Sequence, residues 1–556
     1  MILIKNFRYR RLSIIIGGFL ILLAVILLVF VNFFLEPVLV KKLDALIVQG
    51  SDSLYTYRLG KLTAGFFGGN IRVENLEIKV DSNRYRVLEK VHALPALTIE
   101  LNLQRGDIKG IGFFPLIFGR KVTIREIFSR QADIVLIRHI PDTQKVTIHP
   151  PLWKAIQPAI SAIAINTIKL DGVKFLYKPA DTSQSVKLQF DRFDALVGDI
   201  KIDSLGAMDT NRVAFAKDMF LKFHDMKFRT ADSSYKMKAE WITYSSKTKT
   251  VEIDSFKLQP TLKKEDFYKN YGVQASLYYI EFNKIRLTNT YMDRFLRNNI
   301  ASADSVIVEH PKINVYLDKS QEKLFNSKIG SYPHQKLLKA GTLIRMKNIL
   351  FQNAFITYTE KNGTTGEEGT LEIKNVNLKI ANATNDPAWI RQNNMCTAKA
   401  EGLLLGTSPI AASFVFYLDS SNGRFNAEGS IKNVTAAQLN TISVPLSNTQ
   451  IPSLTIHSLH FKVRGEDFTA RADVQMHYNN FSIVLRKIDE ETGAVVTRKF
   501  ITKLLNRYVV EQNNPGPGGV ERKAENVAFS RLTSQSFFGV IWKAVFAGIQ
   551  KIIIKT

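Results

Sequence analysis

One cysteine, Cys396, stands in 556 residues, so no internal disulfide can staple the chain and no cysteine cluster can hold a metal. Stability must come from burial and strand pairing. The sequence also lacks a glycine-rich phosphate loop, a GxSxG elbow and an HExxH helix, which removes the common signatures of nucleotide, acyl-transfer and zinc-hydrolase chemistry. Its nine histidines do not converge. His457 and His460 lie on opposite parities of one strand pattern with no nearby carboxylate pair, and His139 and His149 border a proline-containing loop; neither pair reads as a metal site. Asp191, Asp194, Asp199 and Asp203 form a loose acidic cluster, but alternation puts them on a wet face and their spacing matches no calcium loop. No catalytic residue, cofactor or metal is assigned, although a triad dispersed through the chain leaves no motif.

Long low-complexity tracts are absent as well, and 45% hydrophobic with 22% charged residues describes a chain that folds. The net charge of +25 is spread rather than massed. Lys222, Lys227, Arg229, Lys236 and Lys238 alternate with apolar residues, which suits the solvated face of a sheet, or attraction to anionic lipid headgroups, and not a nucleic-acid patch.

The one long charge-free run is Leu12 to Leu35. As a helix it spans roughly 36 Å, enough to cross a bilayer core. Lys5, Arg8, Arg10 and Arg11 precede it and Glu36 follows, so the excess of cations predicts a cytoplasmic N-terminus with the bulk of the chain beyond the membrane. No small-residue cleavage site precedes Pro37, which argues against a removed signal peptide.

What fills the rest is a recurring phase slip. Apolar residues at i and i+2 are followed by a polar or small residue at i+4, then apolar residues at i+5 and i+7. Ile71, Val73, Asn75, Leu76 and Ile78 form one copy; Ile168, Leu170, Gly172, Val173 and Phe175 another; Leu221, Phe223, Asp225, Met226 and Phe228 a third. Further copies centre on Ser255, Lys284, Asn348, Asn375 and Ser458. Period-2 alternation marks strands with one dry face, and an odd step keeps that face dry only if a bulge or corner absorbs it. The expectation is a mainly β fold with short helices: a transmembrane helix, then an elongated, bent, groove-like antiparallel sheet, then a C-terminal amphipathic helix.

The predicted organisation is an anchor over 1–35, a β module with helices over 36–165, a repeated β body over 166–512, a linker over 513–533 that starts at NNPGPGG, and a helix over 534–556. Within it, helices are expected from Pro37 to Leu59, from Pro150 to about Ile165, and at Glu265–Tyr271, Tyr291–Asn299 and Ala436–Ile442. In the last segment Ser536 can cap a helix whose Phe537, Ile541, Val545 and Ile549 stack at four-residue spacing beside Phe538, Trp542 and Phe546. The run is too short to span a bilayer, so it lies on a membrane surface or docks on protein.

A dry sheet face suggests a use. Exposing an acyl chain to water costs on the order of 0.8 kcal/mol per methylene, roughly 13 kcal/mol for sixteen carbons, and an apolar trough removes most of that. Candidate lining residues are Ile71, Val73, Leu76, Ile78, Leu170, Val173, Phe175, Phe223, Phe228, Phe282, Ile349, Phe351, Leu459 and Phe461. The same residues would equally fill a closed sandwich. A non-catalytic scaffold that binds envelope proteins is the rival from another class, and a hydrolase a third.

The pattern resembles the AsmA-like envelope proteins, a group that includes TamB and whose N-terminal module is related to chorein-type lipid-transfer proteins. The likeness rests on the cationic tip, membrane span and GGNIRVENLEI at Gly68 to Ile78; on KLDGVKFLY at Lys169 to Tyr177; on the stretch from Leu439 to Lys487, where Asn440 and Pro445 precede strands ending in Tyr478, Phe481, Ile483 and Leu485; and on the C-terminal aromatic helix. The resemblance implies a taco-shaped β groove, anchored by one pass in the inner membrane of diderm bacteria with its bulk in the periplasm. It also implies phospholipids as cargo, and outer-membrane or envelope assembly proteins as partners.

Overall fold

The computed structural model describes residues 37–556 except 38, 42, 46, 66–67, 92, 96, 113–119, 140–153, 155–159, 181–187, 210, 214, 231, 324–325, 448, 489–494 and 556. The predicted membrane span, 12–35, lies outside the described residues. Among the described residues no helix is long and apolar enough to cross a membrane.

The chain divides into two compact units, residues 1–231 with 241–247 and residues 232–240 with 248–556. In the first, the alternating segments pair in chain order: β1 (Tyr55–Gly65), β2 (Asn70–Val80), β3 (Leu97–Lys109), β4 (Lys121–Arg138), β5 (Ala162–Pro179), β6 (Leu188–Ile202) and β7 (Ala216–Arg229). Strand β8 (Tyr235–Ser245) follows. In the second unit, β9 (Thr250–Pro260), β10 (Leu277–Thr288), the broken pair β11 (Ile300–Glu309) and β12 (Lys312–Asp318), β13 (Leu343–Lys361), β14 (Glu368–Thr384), β15 (Met395–Leu404), β16 (Ser408–Tyr417), β17 (Phe425–Thr435), β18 (Thr449–Gly465) and β19 (Thr469–Ile488) lie side by side. Both β20 (Val495–Thr497) and β21 (Lys523–Ser530) pair with β19.

The fold is mainly β, as the alternation predicts, but it is not antiparallel throughout. β4–β5, β11–β13 and β12–β13 are parallel. Alternation reports which face is dry and says nothing of strand direction, which is set by the length of the crossover. The first predicted helix is shorter than expected, since the described residues between 37 and 47 are helical but β1 begins at Tyr55; of the second, 150–153 and 155–159 lie outside the described residues, and its expected end is strand, β5 beginning at Ala162. Residues 513–533, expected as a linker, contain β21. Buried Asn514 fixes that stretch, its side-chain amide donating to the carbonyls of Met476 and Arg522 and its oxygen accepting from the Arg522 N–H.

The phase slips have a backbone cause. Asn75, Gly172, Asp225, Ser255 and Asn375 all take positive φ, between 49° and 67°, the left-handed region that Gly, Asn and Asp enter most cheaply. Such residues line up across neighbouring strands. In the first unit, left-handed Asn75 and Gln131 flank Gln104 on both sides. In the second unit, left-handed Ser255 and His310 flank Asn283 on both sides, and left-handed Asn353 follows beside His310. Each line is a crease that lets the same face stay dry beyond it. At Ser458 the step comes with a register shift against β19, beside left-handed Asn433 of β17. The N–H turned out of the ladder at a crease is taken by an Asn or Asp side chain: Asn353 donates to Asn377 Oδ1 at 3.1 Å, Asn480 to Asn513 Oδ1 at 2.9 Å and Asn526 to Asp473 Oδ1 at 2.7 Å.

Helices sit mostly at strand ends. Those expected near 265, 291 and 436 are present as α3 (Lys264–Tyr271), α4 (Met292–Asn298) and α7 (Ala436–Ser447). The pattern gave no warning of α1 (Ser82–Lys90), α2 (Ser204–Met208), α5 (Pro333–Leu338), α6 (Pro387–Gln392) or α8 (Lys499–Leu504). The last helix, α9 (Phe537–Ile553), lies on the dry face of β18, β19 and β21 and completes the main core with Phe425, Val463, Ala472 and Val474.

Candidate functional site

Register turns the dry residues of separate strands into continuous rows. In the first unit one row runs Ala64, Ile71, Ile108, Ile127, Ile168, Val197, Met219, one residue from each of seven strands. A second, beyond the crease, runs Tyr57, Ile78, Leu101, Ile134, Phe175, Phe190. Seven strands at about 4.8 Å spacing make each full row roughly 29 Å long. Phe175, Phe190, Phe223 and Phe193 form, in that order, an aromatic ladder with successive ring centroids 5.9, 4.7 and 4.6 Å apart.

Among the named strands and helices no second layer covers this face. Every extensive contact between elements of the first unit joins neighbouring strands, apart from the short helix α2 lying against the end of β6 that precedes it. Its isoleucine row is accordingly only partly buried. A sandwich would close these residues off; here a large apolar face remains accessible, which soluble folds rarely tolerate without an occupant.

The second unit carries an analogous row: Ile253, Ile285, Val308, Phe351, Leu378, Ala400, Ala412, Gly429, Phe461, Val474, Ala524. Side chains shrink to Ala400, Ala412 and Gly429 in the middle, and Phe461 folds over Gly429, where a Cβ would stand 2.4 Å from its ring. At its far end the row is closed. Gly548 of α9 presses on Val474 so tightly that a Cβ there would meet Val474 Cγ2 at 2.4 Å.

Of the fourteen predicted lining residues, Leu76, Val173 and Leu459 are buried and the other eleven are partly exposed. Ile71, Val73, Leu76, Ile78, Leu170, Val173, Phe175, Phe223 and Phe228 belong to the first unit and sit in its apolar rows. Phe282 stacks on Phe256 at 4.5 Å. Ile349 packs against the main core, and Leu459 is part of it. The sequence reading missed Ile108, Ile127, Phe190 and Phe193, and the small trio Ala400, Ala412 and Gly429. The trio carries no local signal, because only register places it in line with Phe351 and Phe461.

The predicted surface helix divides its aromatic residues. Phe537, Ile541 and Val545 are buried and Ile549 is partly so, with Phe537 caged by Phe425, Tyr332 and Phe416 at 4.9, 5.3 and 5.5 Å. Phe538, Trp542 and Phe546 face outward, 67%, 59% and 41% exposed. Ser536 caps the helix as expected, accepting from the Gly539 N–H at 3.3 Å.

On the wet face the acidic cluster is tied into the sheet. Asp191 holds Lys227 at 2.6 Å, Asp194 pairs with Arg192 at 2.9 Å, Asp199 pairs with Arg212 at 3.0 Å, and Asp203 caps α2. Asp107 is buried, which alone would raise its pKa, but hydrogen bonds from Arg72 and Arg105 hold it below the usual carboxylate range. His139, expected in a loop, is buried against Thr98 and Tyr85. Burial lifts the Cys396 thiol to about 11, so it stays protonated.

A recess of about 1080 Å³ runs over β13–β19 and β21. On each of these eight strands it touches the central row residue and the residue on each side of it, such as Lys399, Ala400 and Glu401, or His460, Phe461 and Lys462. Its lining therefore mixes the row residues with the charged and polar residues that flank them.

The chain matches no protein-family model and no curated protein.

Proposed function

We propose that this protein binds and transfers lipid, shielding phospholipid acyl chains on the creased dry face of its sheet, as a membrane-anchored component of a cell envelope. One observation carries the reading: the apolar rows of the first unit run unbroken across seven and six strands with no named strand or helix layered over them. A sixteen-carbon chain is about 20 Å long when extended at roughly 1.3 Å per carbon, so it fits within one row of roughly 29 Å. Contact with such a row replaces water along the chain and recovers a large part of the roughly 13 kcal/mol exposure cost. The AsmA-like resemblance of GGNIRVENLEI and KLDGVKFLY agrees with this, and with an inner-membrane anchor and periplasmic body.

The test is photo-crosslinking in the full chain within its membrane. With p-benzoylphenylalanine at position 223, on the dry face, phospholipid adducts are expected; at Lys174, on the wet face of β5, none are. Equal labelling at both positions, or none at 223, would reject the reading.

A scaffold role is favoured by a different observation, the recess over β13–β19 and β21. Its mixed rim of Lys399, Glu401, Glu428, Lys462 and Asp473 suits a polar protein segment better than a lipid. Crosslinks from position 462 to protein, with none to lipid from 223, would select this alternative.

A further inference from the structure

The segment Arg498 to Val509 combines two properties that the groove does not need. Helix α8 and the single π turn after it, Leu505–Val509, expose Phe500 (75%), Ile501, Leu504 and Tyr508 (61%). Interleaved with them are Arg498, Lys499, Lys503 and Arg507, all exposed and without an ion-pair partner among the described residues. The stretch 498–510 contains no Asp or Glu. Glu511, which ends it, is already held by Arg522 at 2.8 Å; Asp489, Glu490 and Glu491 lie outside the described residues.

The segment is fastened rather than loose. Asn506 accepts from the Ile483 N–H at 2.9 Å and donates to the Ile483 carbonyl at 2.6 Å, and Thr502 Oγ1 accepts from the Leu485 N–H at 3.1 Å. It is also joined to the end of α9, since the Lys555 N–H donates to the Val509 carbonyl and Lys555 Nζ to the Arg507 carbonyl, at 2.8 and 2.9 Å. Beyond the join, α9 adds exposed Lys543 and Lys551 to its outward Phe538, Trp542 and Phe546, and 532–556 likewise lacks any acidic residue.

We infer that this C-terminal surface of the second unit docks on an anionic bilayer surface, with the aromatic and aliphatic side chains entering the headgroup region and the cations meeting lipid phosphates. Exposed aromatics beside lysines and arginines, with no acid among them, are the chemistry of an interfacial anchor. A protein partner would have no need of so uniform a charge, whereas each cation near an anionic surface adds to the attraction. The inference is independent of what the groove carries.

The experiment holds the full chain by its anchor in neutral phosphatidylcholine nanodiscs and offers separate vesicles, either pure phosphatidylcholine or phosphatidylcholine with phosphatidylglycerol. Capture of the anionic vesicles is expected, at least tenfold above the neutral ones, and is lost at about 0.5 M salt. Lys499→Glu with Lys503→Glu and Arg507→Glu should cut capture tenfold or more. A dye at Tyr508→Cys, specific because Cys396 is buried, should shift to the blue on capture. In the same charge-reversed variant, lipid crosslinking from position 223 should be unchanged. Equal capture of neutral vesicles, capture insensitive to the three substitutions, or an unshifted dye would overturn the inference.

Discussion

The backbone N–H of Gly172 donates to Oδ1 of Asp194 at 2.8 Å. Gly172 sits in the left-handed region at φ 67°, so its N–H leaves the strand ladder, and the neighbouring strand supplies the acceptor. The crease thus depends on two residues, one for the conformation and one for the stranded donor. A Cβ at Gly172 meets nothing closer than Gln131 at 4.0 Å, so Gly172→Ala should cost about 1–2 kcal/mol through backbone conformation alone, and Gly172→Val more. Asp194→Ala should cost about 1 kcal/mol by orphaning the N–H, while Asp194→Asn, which keeps an acceptor, costs less. Thermal denaturation of the full chain checks the order.

A charge on the dry face should abolish the proposed lipid binding. Phe223→Asp places a carboxylate against Phe190 and Phe193, and the phospholipid that co-purifies should fall several-fold. Lys174→Asp, on the opposite face of β5, should leave it unchanged. Quantitative lipid mass spectrometry of both variants decides, with circular dichroism confirming that strand content is kept.

Helix α9 should be displaceable by one side chain. Gly548→Leu forces atoms into Val474 and Ala524, and overpacking of this kind costs about 1–3 kcal/mol or more. Because the helix buries Phe537, Val540, Ile541, Val545 and Ile552, it should lift locally before the sheet melts. Hydrogen exchange should show loss of protection confined to α9 and β21, while β1–β7 keep theirs.

Acid should weaken the second unit through His334. Its ring is buried beside Phe416 with neither nitrogen hydrogen-bonded, and burial lowers its pKa to about 4, against a smaller opposing pull from Asp467. The folded state therefore binds the proton less readily than the unfolded chain, whose histidine titrates near 6.5. Stability is full above about pH 6.5 and falls as the pH drops toward 4, by on the order of 3 kcal/mol. His334→Phe should flatten the melting temperature across that window. A variant that retains the same slope would assign the pH dependence elsewhere.

Much of the crease system could be read from the chain because its cause is local. Asn75, Gly172, Asp225 and Asn375 are residue types that enter the left-handed conformation cheaply, and each of them, like Ser255, sits where the apolar phase slips. At Lys284 and Asn348 the slip is real but the left-handed residues lie elsewhere: in adjoining strands at Ser255 and His310 for the first, and at Asn382, beside Lys347, for the second. Nothing in one strand can report what its neighbour does. The same limit hid the parallel pairing of β4 with β5 and the run of small residues at Ala400, Ala412 and Gly429, since both are properties of register. Helix α1 was missed because it buries no residue, leaving no apolar stripe to find. The two sides of α9 were separable only once Val474 and Ala524 were seen beneath Gly548.

The borrowed acceptors at Gly172–Asp194, Asn353–Asn377 and Asn526–Asp473 have a consequence for inheritance. A left-handed residue lost from one strand leaves its partner carboxamide or carboxylate purposeless, and a partner lost first strands an amide. Descendants of this chain should therefore change these positions as couples, and the couples would survive as a readable trace even where every surrounding isoleucine and valine has been exchanged for another.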